Sequence, residues 1–131
     1  MTDRFSLKGK NAIITGATRG IGLAMARGFL ESGAKVTICG RKQETVDAAV
    51  AELGGGPSLF GSAAHVGKAE EIQQLVAKAE EKFGPVNVLV NNAGTNPYFG
   101  PIIDSEDWAF DKTMDVNLKG PYILSRILAK K

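Results

Sequence analysis

Residues 15–22 read Thr15-Gly16-Ala17-Thr18-Arg19-Gly20-Ile21-Gly22, three glycines set between an apolar run and a helical one. The run before them, Ala12-Ile13-Ile14-Thr15, is compact and rich in β-formers. Behind them Ile21, Ala24, Met25 and Phe29 recur at helical spacing as far as Glu31, and Gly33 supplies a stop. A strand, a glycine turn and a helix in that order make a place for an anion. Glycines let the backbone approach a phosphate, and the helix N-terminus offers unpaired N–H groups with a partial positive charge. A triphosphate-binding loop needs Gly-Lys-Ser/Thr at its end, and here Gly22 is followed by Leu23, which excludes it.

The same alternation continues along the chain. Lys35-Val36-Thr37-Ile38-Cys39 is a second strand, and Val46, Ala49, Val50 and Leu53 mark a second helix closed by Gly54-Gly55-Gly56-Pro57. A weaker third strand covers roughly Ser58 to Ala64. A third helix turns Ile72, Leu75, Val76, Ala79 and Phe83 inward and ends at Gly84-Pro85. Val86-Asn87-Val88-Leu89-Val90 is the fourth strand, and Ser105 is placed to cap a last helix whose first turn holds Glu106 and Asp107. Repeated strand–helix units imply an α/β domain over residues 1–131, with a parallel sheet and right-handed crossovers.

Composition narrows the function. The 131 residues carry 16 basic and 14 acidic side chains, a net charge of +2, with the signs interleaved. That is a solvated surface, not the basic stripe of a nucleic-acid groove. No apolar run approaches the roughly 18 residues of a membrane span, and Met1-Thr2-Asp3-Arg4-Phe5 opens into charge, so neither a membrane nor a secretory signal is expected. A single cysteine, Cys39, excludes an internal disulfide framework and suits an inert buried position. No metal-ligand cluster stands out, and the cytoplasm is the expected compartment.

Three ordered strings carry a resemblance: Thr15-Gly16-x-x-x-Gly20-x-Gly22, then Asn91-Asn92-Ala93-Gly94 after the fourth strand, then Asp115-Val116-Asn117-Leu118 in the last helix. Together with Leu7-Lys8-Gly9-Lys10 ahead of the first strand, they resemble the short-chain dehydrogenase/reductase family. The likeness covers the first half of a family member. It implies a Rossmann-type doubly wound sheet in the order 3-2-1-4, truncated after the fourth βα unit so that strand four is an open edge. Pairing through that edge, low solubility or assembly into a homo-oligomer would follow.

The resemblance also implies hydride transfer between a nicotinamide and a small-molecule carbonyl or alcohol. Gly16, Thr18, Arg19, Gly20, Ile21 and Gly22 would form the pyrophosphate loop; Asn92, Ala93 and Gly94 would lie at the nicotinamide-side ribose. Gly40 stands where an acidic residue would select NAD, and Arg41 and Lys42 follow it, with Arg19 on the same rim. Guanidinium groups bind phosphate dianions through charge-assisted bonds, so the expected cofactor is NADP(H). His65-Val66 stands where the family has Asp-Val at the adenine. The imidazole could accept a hydrogen bond from adenine, stack on it, or have no ligand role. Tyr98 and Phe99 sit in a stiff loop near the same edge, as substrate contacts or as packing.

Of the family's catalytic residues only Asn117 is present. A Tyr-x-x-x-Lys pair is absent: Tyr98 is followed four residues on by Ile102, and Tyr122 by Arg126. The tyrosine needs a neighbouring cation because its ordinary pKa is about 10. Ser125 is equally ill placed as the carbonyl-orienting serine. Pro121, four residues after Asn117, has no N–H for the Asn117 carbonyl and predicts a break in the helix there; otherwise Pro121 simply ends it. Trp108 and Phe110 are expected to pack the last helix on the body or on a partner. Two readings stand: an NADP(H)-dependent oxidoreductase of which this is the amino-terminal portion, or a truncated, noncatalytic dinucleotide-binding module.

Overall fold

The computed structural model describes residues 3–131, so Met1 and Thr2 of the N-terminal reading lie outside the described residues. Four strands, β1 (Asn11–Ile14), β2 (Lys35–Gly40), β3 (Leu59–Ala63) and β4 (Val88–Val90), form one sheet in the order β3-β2-β1-β4. All pairings are parallel, with Ile14 opposite Ile38 on one side and Val90 on the other. Helices α1 (Gly20–Glu31), α2 (Gln43–Glu52) and α3 (Ala69–Phe83) are the crossovers, and α4 (Asp107–Met114) and α5 (Gly120–Ala129) follow β4. This is the doubly wound α/β arrangement that the alternating pattern implies.

Strands covered on both faces need apolar residues at every position, and β1 is buried throughout. Successive residues point to opposite faces. Ile13 joins Cys39, Ile72, Leu75 and Leu124 under α3 and α5, whereas Ile14 joins Val36, Ile38 and Val46 under α1 and α2. The chain's direction reverses at β1: β2 and β3 lie to one side of it and β4 to the other. Ligands bind at such a switch point, in the crevice beyond the carboxyl ends of the strands.

Several expectations are corrected. Ile21 and Ala24 of α1 face solvent, and the buried positions are Gly22 and Ala26, because small residues let α1 lie close on the sheet. β4 begins at Val88; Val86 is buried ahead of the strand, while the three strand residues are only half-buried. Ser105 does not cap α4. Its hydroxyl donates to the Ile102 carbonyl at 2.8 Å within a single 3₁₀ turn, and Glu106 precedes the helix instead. Trp108 and Phe110, expected on the body or on a partner, are 55% and 62% exposed, so neither is buried in the domain.

The last helix runs from Asp107 to Ala129 without a gap but not uniformly. Asp115–Lys119 widen into a π-turn between α4 and α5, closed by the Gly120 N–H donating to the Asp115 carbonyl. Pro121 lies in the first turn of α5, which runs on to Ala129, so Pro121 neither breaks nor ends the helix; the irregularity is the π-turn just ahead of it. Among the described residues no helix is long and apolar enough to cross a membrane.

Candidate functional site

A cleft of about 550 Å³ opens along the carboxyl edge of the sheet. It is lined by Gly16, Thr18, Arg19, Gly20 and Ile21 from the first loop and the start of α1, Gly40 at the end of β2 with Arg41 and Lys42 beyond it, Ala64, His65 and Val66 after β3, and Asn92, Ala93, Gly94 and Thr95 after β4. Four loops far apart in sequence thus meet because parallel strands all end on one side. Of the residues that the sequence assigned to the cofactor or to catalysis, only Gly22 and Asn117 do not line the cleft. Gly22 lies behind the loop, where an added Cβ would meet the Gly16 carbonyl and would stand 2.9 Å from Ala17 Cα.

The glycine loop is held from below by Thr15. This buried threonine uses its Oγ1 to accept hydrogen bonds from the N–H groups of Asn92, at 3.1 Å, and Ala93, at 3.0 Å. Asn92 returns the tie, its Nδ2 donating to the Gly16 carbonyl at 2.9 Å. Gly16 has a φ of 62°, and a Cβ there would stand 2.8 Å from the Ala93 Cα. Only glycine allows both the turn and that approach. The loops after β1 and β4 therefore form one interlocked unit. No side chain caps the N-terminus of α1, which leaves its first N–H groups to be satisfied from the cleft.

The electrostatics of the lining are one-sided. Arg19, Arg41, Lys42 and Lys112 all line it, and no aspartate or glutamate does. None of the four forms an ion pair among the described residues, where the only two are Lys68–Glu71 and Lys131–Glu80. Such a surface favours an anion strongly. Lys112 and Thr45 are lining residues that the sequence reading missed. A signal for Lys112 existed: Ala109, Lys112 and Val116 make one helical stripe, and a lysine in a stripe whose other members are buried must reach out of it.

At the β3 end, the His65 Nδ1 accepts from the Gly67 N–H at 3.0 Å. Partial burial and the positive charges of Lys68, Arg41 and Lys112 hold the imidazole below its ordinary pKa of 6.5, against a smaller opposing effect of Glu71. Cys39, fully buried, has its thiol pushed up to about 11 by loss of solvation, only partly offset by a hydrogen bond with the Gly16 backbone, which keeps it protonated near neutral pH.

Asn117 occupies the π-turn and reaches the loop after β4. Its Oδ1 accepts from the Thr95 N–H at 2.7 Å and its Nδ2 donates to the Thr95 carbonyl at 2.9 Å. Neither tyrosine lines the cleft. The Tyr98 hydroxyl donates to the Pro101 carbonyl at 2.9 Å, and Arg126 donates to the Tyr122 hydroxyl at 3.3 Å from the outer face of α5. Phe99 is 95% exposed, and Ser125 accepts from Asn91. Among the described residues no three metal-binding side chains cluster.

With this geometry in hand, likeness to known proteins is informative. The family model described as short chain dehydrogenase matches residues 10–131. "Dehydrogenase/reductase SDR family member 4" of Homo sapiens is 46% identical over 127 residues, spanning 96% of this chain and 46% of that protein. "Dehydrogenase/reductase SDR family member 2, mitochondrial" of Homo sapiens is 47% identical over 119 residues, 90% of this chain and 42% of that one. The crystal structure of 3-ketoacyl-(acyl-carrier-protein) reductase from Brucella melitensis complexed with NADH superposes with a TM-score of 0.89 at 37% identity, over 95% of this chain and 51% of that one. The chain spans about half the length of the relatives it matches. A parallel sheet ordered β3-β2-β1-β4, a glycine loop locked to the turn after β4, and a family match across nearly all its residues lead to one conclusion: the chain belongs to the short-chain dehydrogenase family.

Proposed function

We propose that the cleft binds NADP(H) and that the chain is the cofactor-holding part of an oxidoreductase acting on a small carbonyl or alcohol substrate. The observation that carries this reading is the lining itself: four cations and no carboxylate, around a loop that only glycine could build. The dinucleotide complex of the Brucella relative supports a nicotinamide cofactor; the preference for the phosphorylated form rests on Arg19 and Arg41. A carboxylate at the end of β2 would hold a ribose 2′-hydroxyl and repel a 2′-phosphate. Gly40 stands there, where even a Cβ would press on Thr18 Cγ2 at 2.6 Å.

The bound nicotinamide would supply the hydride. The chain's own residues fit the rest of the molecule. Gly16, Thr18, Gly20 and Ile21 would give backbone N–H groups to the pyrophosphate at the start of α1, with Gly22 keeping that helix close. Arg19 and Arg41 would hold the 2′-phosphate. His65 and Val66 would meet the adenine, and Asn92, Ala93 and Gly94 the ribose beside the nicotinamide. Asn117 would act from the π-turn by fixing Thr95, and its own carbonyl, which has no N–H from Pro121 to accept, would be available to bind a water.

Direct titration tests the cofactor reading. NADPH should bind at least tenfold more tightly than NADH, and Arg41→Ala should weaken NADPH alone by about tenfold, the size of one charge-assisted hydrogen bond. Equal affinities would overturn the choice of cofactor.

A second reading, a dinucleotide-binding module that does no chemistry by itself, is favoured by the two tyrosines, neither of which reaches the cleft. Ketone-dependent oxidation of NADPH by the 131-residue species, its mass verified, would exclude it. We also propose the cytoplasm as the compartment and a homo-oligomer as the assembly, the latter because Trp108 and Phe110 of α4 present exposed aromatic surface. A monomer at every concentration in sedimentation would count against the oligomer.

A further inference from the structure

The order of the strands assigns the ends of the cleft. In a doubly wound sheet the pyrophosphate lies at the turn after β1 and the adenosine-side ribose at the end of β2. The base joined to that ribose must then lie toward the next strand outward, which is β3. His65, directly after β3, lines the cleft there. A base at this end presupposes that the cleft binds a dinucleotide, as proposed for NADP(H).

The ring of His65 is held in one state. Its Nδ1 accepts from the Gly67 N–H, which requires a lone pair on Nδ1 and places the proton of the neutral imidazole on Nε2. A Cβ at position 67 would stand 2.8 Å from His65 Cε1, so the ring lies in a space that glycine leaves open. The backbone is fixed as well: the His65 N–H donates to Glu71 Oε1 at 3.0 Å, and its carbonyl accepts from the Lys68 N–H at 3.0 Å. Nε2 has no hydrogen-bond partner among the described residues.

We propose that His65 determines base specificity: its Nε2–H gives the adenosine end of the cleft a hydrogen-bond donor and no acceptor. The side chain cannot take a hydrogen bond from a 6-amino group, because its one acceptor is spent on Gly67. It can donate to a ring nitrogen or to a 6-oxo oxygen. The site therefore tolerates a 6-oxopurine dinucleotide, whereas a carboxylate at this position would accept from the amino form and repel the oxo form.

Two measurements test this, the first without any ligand. The chain has one histidine, so the imidazole ¹⁵N signals are unambiguous, and above neutral pH they should show the Nε2–H tautomer; an Nδ1–H tautomer overturns the proposal. The second compares dissociation constants of NADPH and its 6-oxo analogue, reduced nicotinamide hypoxanthine dinucleotide phosphate, by calorimetry. The wild-type chain should bind the two within about threefold of each other, and His65→Asp should shift the ratio about tenfold toward the amino form. Aspartate retains an acceptor for the Gly67 N–H, and His65→Asn, which retains the acceptor without the charge, should shift the ratio less. If both nucleotides bind and the ratio ignores residue 65, the inference fails and the cofactor reading stands. If the wild-type chain binds neither, the cofactor reading fails and takes the inference with it.

Discussion

Asn117 grips the backbone of Thr95 with both ends of its carboxamide, Oδ1 on the N–H at 2.7 Å and Nδ2 on the carbonyl at 2.9 Å. Thr95 lines the cleft and Asn117 does not, so the asparagine acts by fixing the path of the chain after β4. Asn117→Asp keeps the shape, loses the donor and sets a carboxylate oxygen against the Thr95 carbonyl. It should destabilise the fold by about 1 kcal/mol, a modest figure because the pair is solvent-exposed. Urea denaturation at neutral pH measures this. An unchanged midpoint would mean that the grip contributes nothing.

Two buried threonines should respond in opposite ways to the same substitution. The Thr15 hydroxyl accepts from two backbone N–H groups; that of Asn92 also reaches the Val90 carbonyl at 3.1 Å, so Thr15→Val would strand the Ala93 N–H, costing about 1–3 kcal/mol. The Thr37 Oγ1 is buried without a hydrogen-bond partner. Thr37→Val preserves its shape and removes the stranded group, so it should be neutral or stabilising by about 1 kcal/mol. Paired thermal melts distinguish the two, and similar losses at both sites would refute the contrast.

Among the glycines of α1, Gly22 is constrained by contact and Gly28 is free. An added Cβ at Gly22 would meet the Gly16 carbonyl and Ala17 Cα, backbone atoms that cannot rotate away, while at Gly28 it would meet nothing within 4 Å. Gly22→Ala should lose roughly 2 kcal/mol and most nucleotide binding. Gly28→Ala should gain about 0.5–1 kcal/mol from better helix propensity. Circular-dichroism melts of both variants with a nucleotide titration give the answer; equal effects would show that the close approach behind the loop does not matter.

His65 makes stability depend on pH with a definite sign. Its pKa is lowered in the folded chain from 6.5 by burial and by Lys68, Arg41 and Lys112, with Glu71 opposing. Below 6.5 the unfolded chain therefore binds protons that the folded chain refuses, and stability from this group falls as the pH drops until the folded imidazole also titrates. Protonation of Nδ1 also breaks the bond from Gly67. The histidine resonances should titrate with a midpoint under 6.5, and His65→Gln should flatten the pH dependence of the urea midpoint between 7 and the folded pKa. A midpoint above 6.5 would reverse the sign.

Much of this molecule was legible in one dimension. The apolar runs at 12–15, 35–39 and 86–90 and the helical spacing of Ile72, Leu75, Val76 and Ala79 are local patterns, and they marked strands and helices within a residue or two of the observed ends. Eleven of the twelve proposed cofactor positions line one cleft, because parallel strands joined by crossovers all end on the same side. Ile21 misled the helical reading: an apolar residue at the first turn of α1 stands at the mouth of the cleft, not in the core.

By itself, the sequence determined the alternation of strand and helix, the turn that only glycine can make, and that neither Tyr98 nor Tyr122 is followed four residues on by a lysine. Only the tertiary structure decided which groups hold that turn in place, where the last helix widens into a π-turn, how Lys112 comes to line the cleft, and which imidazole nitrogen of His65 carries its proton. The reason is range. Periodicity and turn chemistry are settled among near neighbours in the chain, whereas Thr15 meets Asn92 from 77 positions away and Asn117 meets Thr95 from 22. Such partners are set by which strands lie side by side, a choice made when apolar faces are buried together and visible only once they are.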